Sequence, residues 1–246
     1  AGFYRFWDLG RAKAFARFKK RVEFDRIYKL GRDLVAEDAT TRISPLIAWG
    51  QLGPRELANL CAPQSTLLRQ LIWREFSLHT LYRCPWMARG KPIKEAFAKM
   101  PWQKDKKTLD AWKKGKTGYP LVDAAMRQLW QTGWMHNRAR MVVGSFLVKH
   151  LLIDWREGEK WFWETLVDAD LANNSFSWQW VAGCGLDAAP FFRIFNPTTQ
   201  QEKFDKDFCY INKYLPEFGT PAYPKPIVDH KEARQRALDA LKGLKK

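Results

Sequence analysis

Gly133-Trp134-Met135-His136-Asn137-Arg138-Ala139-Arg140-Met141 opens a stretch that runs on through Val142-Val143-Gly144-Ser145-Phe146-Leu147-Val148 to Trp155. From Asn137 to Trp155 it is apolar almost all round, and a helix with no polar face belongs inside a protein. Upstream, Thr117-Gly118-Tyr119-Pro120 reads as a turn that launches a helix over Leu121 to Trp134, with Val122, Ala125, Met126, Leu129 and Trp130 on one stripe. A striped helix beside a fully apolar one predicts a helical core. The same period extends outward: a basic amphipathic helix over Ala12 to Leu30, a start at Gly53-Pro54-Arg55-Glu56, and a long helix from Ser65 to Leu81 carrying Leu68, Leu71, Ile72, Phe76 and Leu78. Asn173 to Val181 is another helix, and Asp229-x-x-Glu232 caps a last, basic one. Alternating runs long enough for a sheet are absent, as are internal repeats and low-complexity tracts. The expected class is all-α, cut by long irregular connections.

Composition narrows the function classes. The chain has 246 residues, 42 Lys+Arg against 26 Asp+Glu (formal charge +16), 46% hydrophobic residues and 13 Trp. A disordered chain could not carry that apolar content. No apolar run approaches a membrane span, since Met141 to Val148 ends at Lys149 and His150. The start, Ala1-Gly2-Phe3-Tyr4-Arg5, lacks the basic-then-apolar order of a signal peptide. Cys61, Cys84, Cys184 and Cys209 form no CxxC pair and read as inert core thiols in a reducing, cytoplasmic compartment. The charge surplus favours a polyanionic partner, and flat indoles can stack on bases while cations hold the backbone. The runs Lys104/Lys106/Lys107, Lys113/Lys114/Lys116 and Lys242/Lys245/Lys246 read as solvated faces.

Four clusters exceed what packing requires. Thr40-Thr41-Arg42-Ile43-Ser44-Pro45 offers hydroxyls, backbone N–H groups and a guanidinium that can cradle phosphate, or simply start a helix. Trp73-Arg74-Glu75 sits on the long helix. Arg138 and Arg140, with Asn137, enter a buried helix, which is expensive unless each has a partner. Asp170, Asn174 and Trp178 recur at i, i+4, i+8 and share one helical face. Asp168 and Asp170 lack a third carboxylate at ligand spacing, so a structural or cofactor-holding pair, Asp168 with Arg140, is preferred to a metal site or an acid–base pair. His136 reads as a core imidazole.

Taken together these stretches resemble the photolyase/cryptochrome family, specifically its helical FAD-binding domain. The residues that carry the resemblance are Thr40 to Pro45, Leu71-Ile72-Trp73-Arg74-Glu75-Phe76, Trp112 through Trp155 (with Thr117-Gly118-Tyr119-Pro120-Leu121-Val122-Asp123 inside it), and Asp168 through Arg193-Ile194-Phe195-Asn196-Pro197. The match runs from about Tyr28 to Leu215 in family order and is most similar to class I cyclobutane pyrimidine dimer photolyases. The resemblance implies residues 1–215 as the FAD-binding domain, with 1–27 divergent, 216–228 a Pro-rich loop and 229–246 a basic helix. It implies a U-shaped FAD held by Tyr28, Thr40, Thr41, Arg42, Ile43, Ser44 and Arg74 toward the phosphates. Asn137, Arg140, Asp168, Asp170 and Asn174 would surround the flavin and ribose. It implies light-driven repair of pyrimidine dimers in UV-damaged DNA by electron transfer from reduced flavin, the dimer being flipped into a pocket walled by Trp73, Trp180 and Met141. Arg32, Arg138, Arg193 and Gln200 would serve DNA, and Trp178, Trp155 and Trp102 would photoreduce the flavin. A nucleoid-associated monomer is expected.

Three departures qualify the resemblance. The family's N-terminal α/β domain, with its antenna pigment, has no counterpart here. A fragment, a reduced form harvesting light with FAD alone, or a separate antenna chain would each account for that. The aromatic start Phe3, Tyr4, Phe6 and Trp7 is expected to cover surface that domain would hide. Gln70 stands where dimer photolyases place Glu, so weaker repair is expected; Asn137 and Met141 stand where (6-4) enzymes need His. The tail after Pro216 is short, which is expected to open one side of the domain. A cryptochrome-like blue-light photoreceptor is the alternative.

Overall fold

The computed structural model describes residues 7, 10–23, 25–187 and 192–244. Among them are thirteen α-helices, no named strand, and one isolated parallel bridge between Gln103 and Ile153. Where the sequence expects helix from Ala12 to Leu30, the described residues are helical as α1 (Arg11–Glu23) and α2 (Asp25–Gly31). The Asp25 carboxylate accepts the free amides of Thr66 and Leu67 at the start of α5 (Thr66–Arg83), 3.2 and 3.3 Å away, so that residue joins two helices. Between them lie α3 (Ser44–Ala48) and α4 (Pro54–Ala58). Phe18 of α1 packs with Leu46, Ile47, Leu57 and Leu71 in a small core of its own.

The main core gathers around α7 (Pro120–Thr132) and α8 (Asn137–Ser145), where Val143, Phe146, Leu147 and Val148 are wholly buried. The uniform apolar run does not form one helix to Trp155. Helix α8 passes into a π-turn, Phe146–His150, closed by Leu151 N–H donating to the Phe146 carbonyl at 3.1 Å. Leu152 then takes a positive φ of 51°, its carbonyl accepting the Gln103 amide, and Asp154 caps a new helix, α9 (Trp155–Thr165). Burial on every side explains why periodicity could not find the break: a buried turn and a buried helix are equally apolar. Helix α10 (Leu171–Ala182) packs across α5, α8 and α9. The shorter α6 (Lys106–Lys113), α11 (Pro197–Phe204) and α12 (Cys209–Tyr214), with the longer α13 (His230–Gly243), close the outside.

The Thr117–Asp123 motif locks the tail. Asp123 is fully buried and accepts from Thr117 N (2.7 Å), Thr117 Oγ1 (2.7 Å), Gly118 N (2.9 Å) and the Tyr223 hydroxyl (2.6 Å). Burial still pushes this carboxyl up, against those bonds. Gly118 has φ +77°, and a Cβ there would lie 2.4 Å from the Lys225 carbonyl. Ile227 N–H donates to the Thr117 carbonyl and Tyr119 Oη to that of Val228. The Pro-rich loop therefore packs on the Thr117–Tyr119 turn. Phe3, Tyr4 and Phe6 lie outside the described residues; Trp7 Nε1 donates to the Thr132 carbonyl at 2.8 Å and its ring meets Trp134 edge-on. No helix among the described residues is long and apolar enough to cross a membrane.

Candidate functional site: a polar cavity between α5, α8 and α10

A cavity of about 540 Å³ opens between these helices, within the range that holds a cofactor. All twelve residues assigned to the cofactor by the sequence line it: Tyr28, Thr40, Thr41, Arg42, Ile43, Ser44, Arg74, Asn137, Arg140, Asp168, Asp170 and Asn174. So do Gln70, Trp73, Met141, Trp178 and Trp180. Trp155 and Trp102 do not, nor do Arg32, Arg138, Arg193 and Gln200.

Two ion pairs frame the cavity. Arg140 clamps Asp168 with Nη2 at 3.1 and 2.8 Å, while its Nε donates to the Met135 carbonyl at 2.8 Å. The Ser44 hydroxyl adds a third bond to Asp168, at 2.6 Å. The guanidinium flagged by the sequence is half-buried and has its partners, and the 40–44 loop is fastened to the far wall. Arg74 reaches across to Asp170 at 2.9 Å, and Asp170 also caps α10, accepting Asn173 N at 2.9 Å and Asn173 Nδ2 at 2.6 Å. Burial raises the Asp170 carboxyl, yet the Asn173 donors and Arg74 outweigh it and hold the group below its ordinary value. Arg74 Nε is buried with no partner.

The third face is aromatic. The Trp178 ring rests on two glycines: a Cβ at Gly158 would fall 2.1 Å from it, and one at Gly144 3.7 Å. Phe162 meets it at 5.0 Å and Trp112 at 6.3 Å, both edge-on. Trp155 is wholly buried under the Arg156 guanidinium (4.8 Å), and Trp102 is half-buried. Asn174 shares its face with Asp170 and Trp178, and its Nδ2 donates to the Glu159 carbonyl at 2.9 Å, which fixes the amide's orientation.

Nearer solvent, Trp73 is 42% exposed and Trp180 half-buried, and Asn137 Nδ2 lies 3.9 Å from Met141 Sδ. Gln70 accepts from Arg32 at 3.2 Å. Arg138 pairs with Asp33 at 3.0 Å and lies 4.4 Å over Phe204. Gln200 is half-buried with Oε1 unpartnered, and Arg193 is exposed. His136 is buried; its Nδ1 caps α8 by accepting Arg138 N, and burial holds the imidazole down to about 4, so it is neutral. Gly144, Gly158, Phe162 and the Met135 carbonyl were not singled out by the sequence. Glycine, which weakens a helix interior unless close packing requires it, was the available signal for Gly144 and Gly158. Among the described residues no group of three or more His, Cys, Asp or Glu side chains could hold a metal ion.

A family profile described as the FAD binding domain of DNA photolyase matches residues 67–221, which supply α5, α8, α9 and α10 of the cavity. The chain belongs to that family. It is 47% identical to a deoxyribodipyrimidine photo-lyase of Agrobacterium fabrum, over 89% of this chain and 53% of that protein. It is equally similar, 47%, to one of Escherichia coli, over 89% and 52%. A class III photolyase structure from Agrobacterium tumefaciens superposes with TM-score 0.90 at 43% identity, covering 99% of this chain and 57% of that one. A Synechocystis cryptochrome follows at TM-score 0.83 and 30% identity, over 94% and 56%. The chain thus spans about half the length of the curated relatives it matches. The cavity suits the family's cofactor: its size, the cationic Arg42 and Arg74 beside hydroxyls, and the unpartnered Arg74 Nε fit a dinucleotide with an anionic middle.

Proposed function

We propose that this chain is the flavin-bearing part of a light-driven lyase that splits cyclobutane pyrimidine dimers in DNA. The observation that carries the reading is one cavity with two ion pairs in its wall and an apolar mouth of Trp73, Trp180 and Met141. Bound FAD would supply light absorption and the electron given to the dimer. The chain's residues do the rest. Arg42, Arg74, Thr40 and Thr41 hold the phosphates, with Tyr28 and Ile43 beside them. Arg140 holds Asp168 in place, and the oriented Asn174 amide offers a neutral contact to a reduced flavin without adding charge. Trp73 and Trp180 give flat apolar walls to an extruded dimer, which costs less to unstack than an intact pair. Gln70 and Asn137 supply neutral hydrogen bonds to its bases. Arg32, Arg138, Arg193 and Gln200 meet the DNA backbone, in keeping with the +16 charge. Trp178, Trp155 and Trp102 bring electrons from solvent toward the cavity. UV-damaged DNA is the partner.

The test is illumination of the purified protein with a dimer-containing oligothymidylate. Flavin bands with light-dependent recovery of base absorbance support repair. Likeness to a cryptochrome, together with Gln70, favours the second reading, a blue-light photoreceptor, for which flavin bands appear and base absorbance does not recover. Trp155→Phe slows photoreduction and spares repair once the flavin is reduced; equal loss of both refutes the relay.

A further inference from the structure

Lys149 lies outside everything assigned above, yet it is 3% exposed in the middle of the core. A buried ammonium costs more than a Met of the same length unless a partner repays its lost hydration. Its acceptor is a backbone atom: Lys149 Nζ donates to the Arg193 carbonyl. The same ammonium sits 4.7 Å over the Phe192 ring, and that ring lies against Gly183 at the end of α10, where a Cβ would come within 3.1 Å of it. One turn before Lys149, and on the same face, the buried Ser145 hydroxyl accepts the Phe195 amide at 3.2 Å. The 192–195 segment is thus held from below by two side chains of the α8 and π-turn unit. It leads from Trp180 at the cavity mouth to Gln200 on α11.

We infer that Lys149 is a positioning residue: its ammonium pins the backbone of Arg193 and so sets where that exposed side chain is presented to DNA. The inference rests on the repair reading for its consequence, but the pin itself does not. The charges facing Lys149 are the Arg193 guanidinium and, on its own turn, His150, which is bonded to His230 and Arg236 of α13. Burial chiefly, then Arg193, pulls the ammonium down to about 7. A neutral amine is the weaker donor, so the segment loosens as pH rises through neutrality. Global stability moves the other way. The folded value lies below the unfolded one of about 10.4, so the cost of burying the charge is full below pH 7 and fades above it.

Two measurements on the protein with its cofactor test this: hydrogen-exchange protection over 192–196, corrected for intrinsic rates, and affinity for a dimer-containing oligonucleotide, at pH 6 and pH 9. One charge-assisted bond lost corresponds to about tenfold, so both quantities are expected to fall about tenfold in the parent. Lys149→Met is expected to show the low protection and weak affinity at both pH values, with an unfolding temperature at pH 6 no lower than the parent's. A residue that only packs the core would lower that temperature and flatten nothing. Identical protection and identical pH profiles in parent and variant overturn the inference. If the parent binds no dimer at either pH, the repair reading falls, and the protection measurement still decides the pin.

Discussion

Gly158→Ala is a one-carbon change whose effect follows from the contact between α9 and the Trp178 ring. The added Cβ would stand 2.1, 2.5 and 2.6 Å from three carbons of the indole. Carbon pairs rest at roughly 3.5–4.0 Å, so the ring must retreat by roughly 1.5 Å. Gly144 and Val181 stand beside it, and Phe162 and Trp112 meet its edge, so the free direction is the cavity it lines. Overpacking of this kind costs about 3 kcal/mol at the upper end, and Ala in place of Gly in a helix returns about 1 kcal/mol. The net loss of about 2 kcal/mol corresponds to a fall of roughly 4–8 °C in unfolding temperature for a domain of this size. Because the ring moves into the cavity, affinity for FAD should fall as well, by tenfold or more. Thermal unfolding of the cofactor-free protein and flavin titration measure the two effects separately. A variant as stable as the parent with unchanged flavin affinity would show that Trp178 is not seated on Gly158 as described.

Other outcomes are as definite. Arg140→Met strands the Asp168 carboxylate, whose side chain is 3% exposed, with Ser44 alone; a loss of about 3 kcal/mol is expected from denaturant unfolding, and less than about 1 contradicts the clamp. Gly118→Ala meets the Lys225 backbone and a positive φ together, and should free the 216–228 loop to proteolysis with a loss of about 2 kcal/mol or more; an uncut loop sinks that account. Burial holds His136 down to about 4 and His150 to about 3, below the unfolded value of about 6.5. Their stabilising share is therefore complete above pH 6.5 and lost as pH falls toward 4, and a stability curve flat between pH 7 and 4.5 argues against buried neutral rings. Gln70→Glu should raise the repair yield and strengthen the contact to Arg32, now 3.2 Å away; an unchanged or lower yield contradicts the assignment of Gln70.

The sequence exposed most of the cavity wall because polar groups on apolar helices are conspicuous. Arg140 and Asp168 declared themselves by their cost, and Asp170, Asn174 and Trp178 by a helical period that α10 keeps from its cap onward. It could not show that Asn174 is oriented by a carbonyl fifteen residues upstream, or that Trp178 lies on Gly158, because those partners come from another helix. The motif around Asp123 stood out equally in the sequence, yet its work is to fasten the tail.

The all-α class and the helix starts at Pro54, Pro120 and Asp229 follow from local pattern, since period, proline and caps act within a few residues, while Arg42 and Arg74 were placed at the cofactor by family resemblance. Tertiary structure alone decided where the apolar run breaks at Leu152, which wall each carboxylate joins, and that Lys149 grips the Arg193 backbone. Each of those depends on which distant group arrives to satisfy a buried polar atom. That choice is made by how the helices stack, and hydrophobicity along the chain carries no record of it.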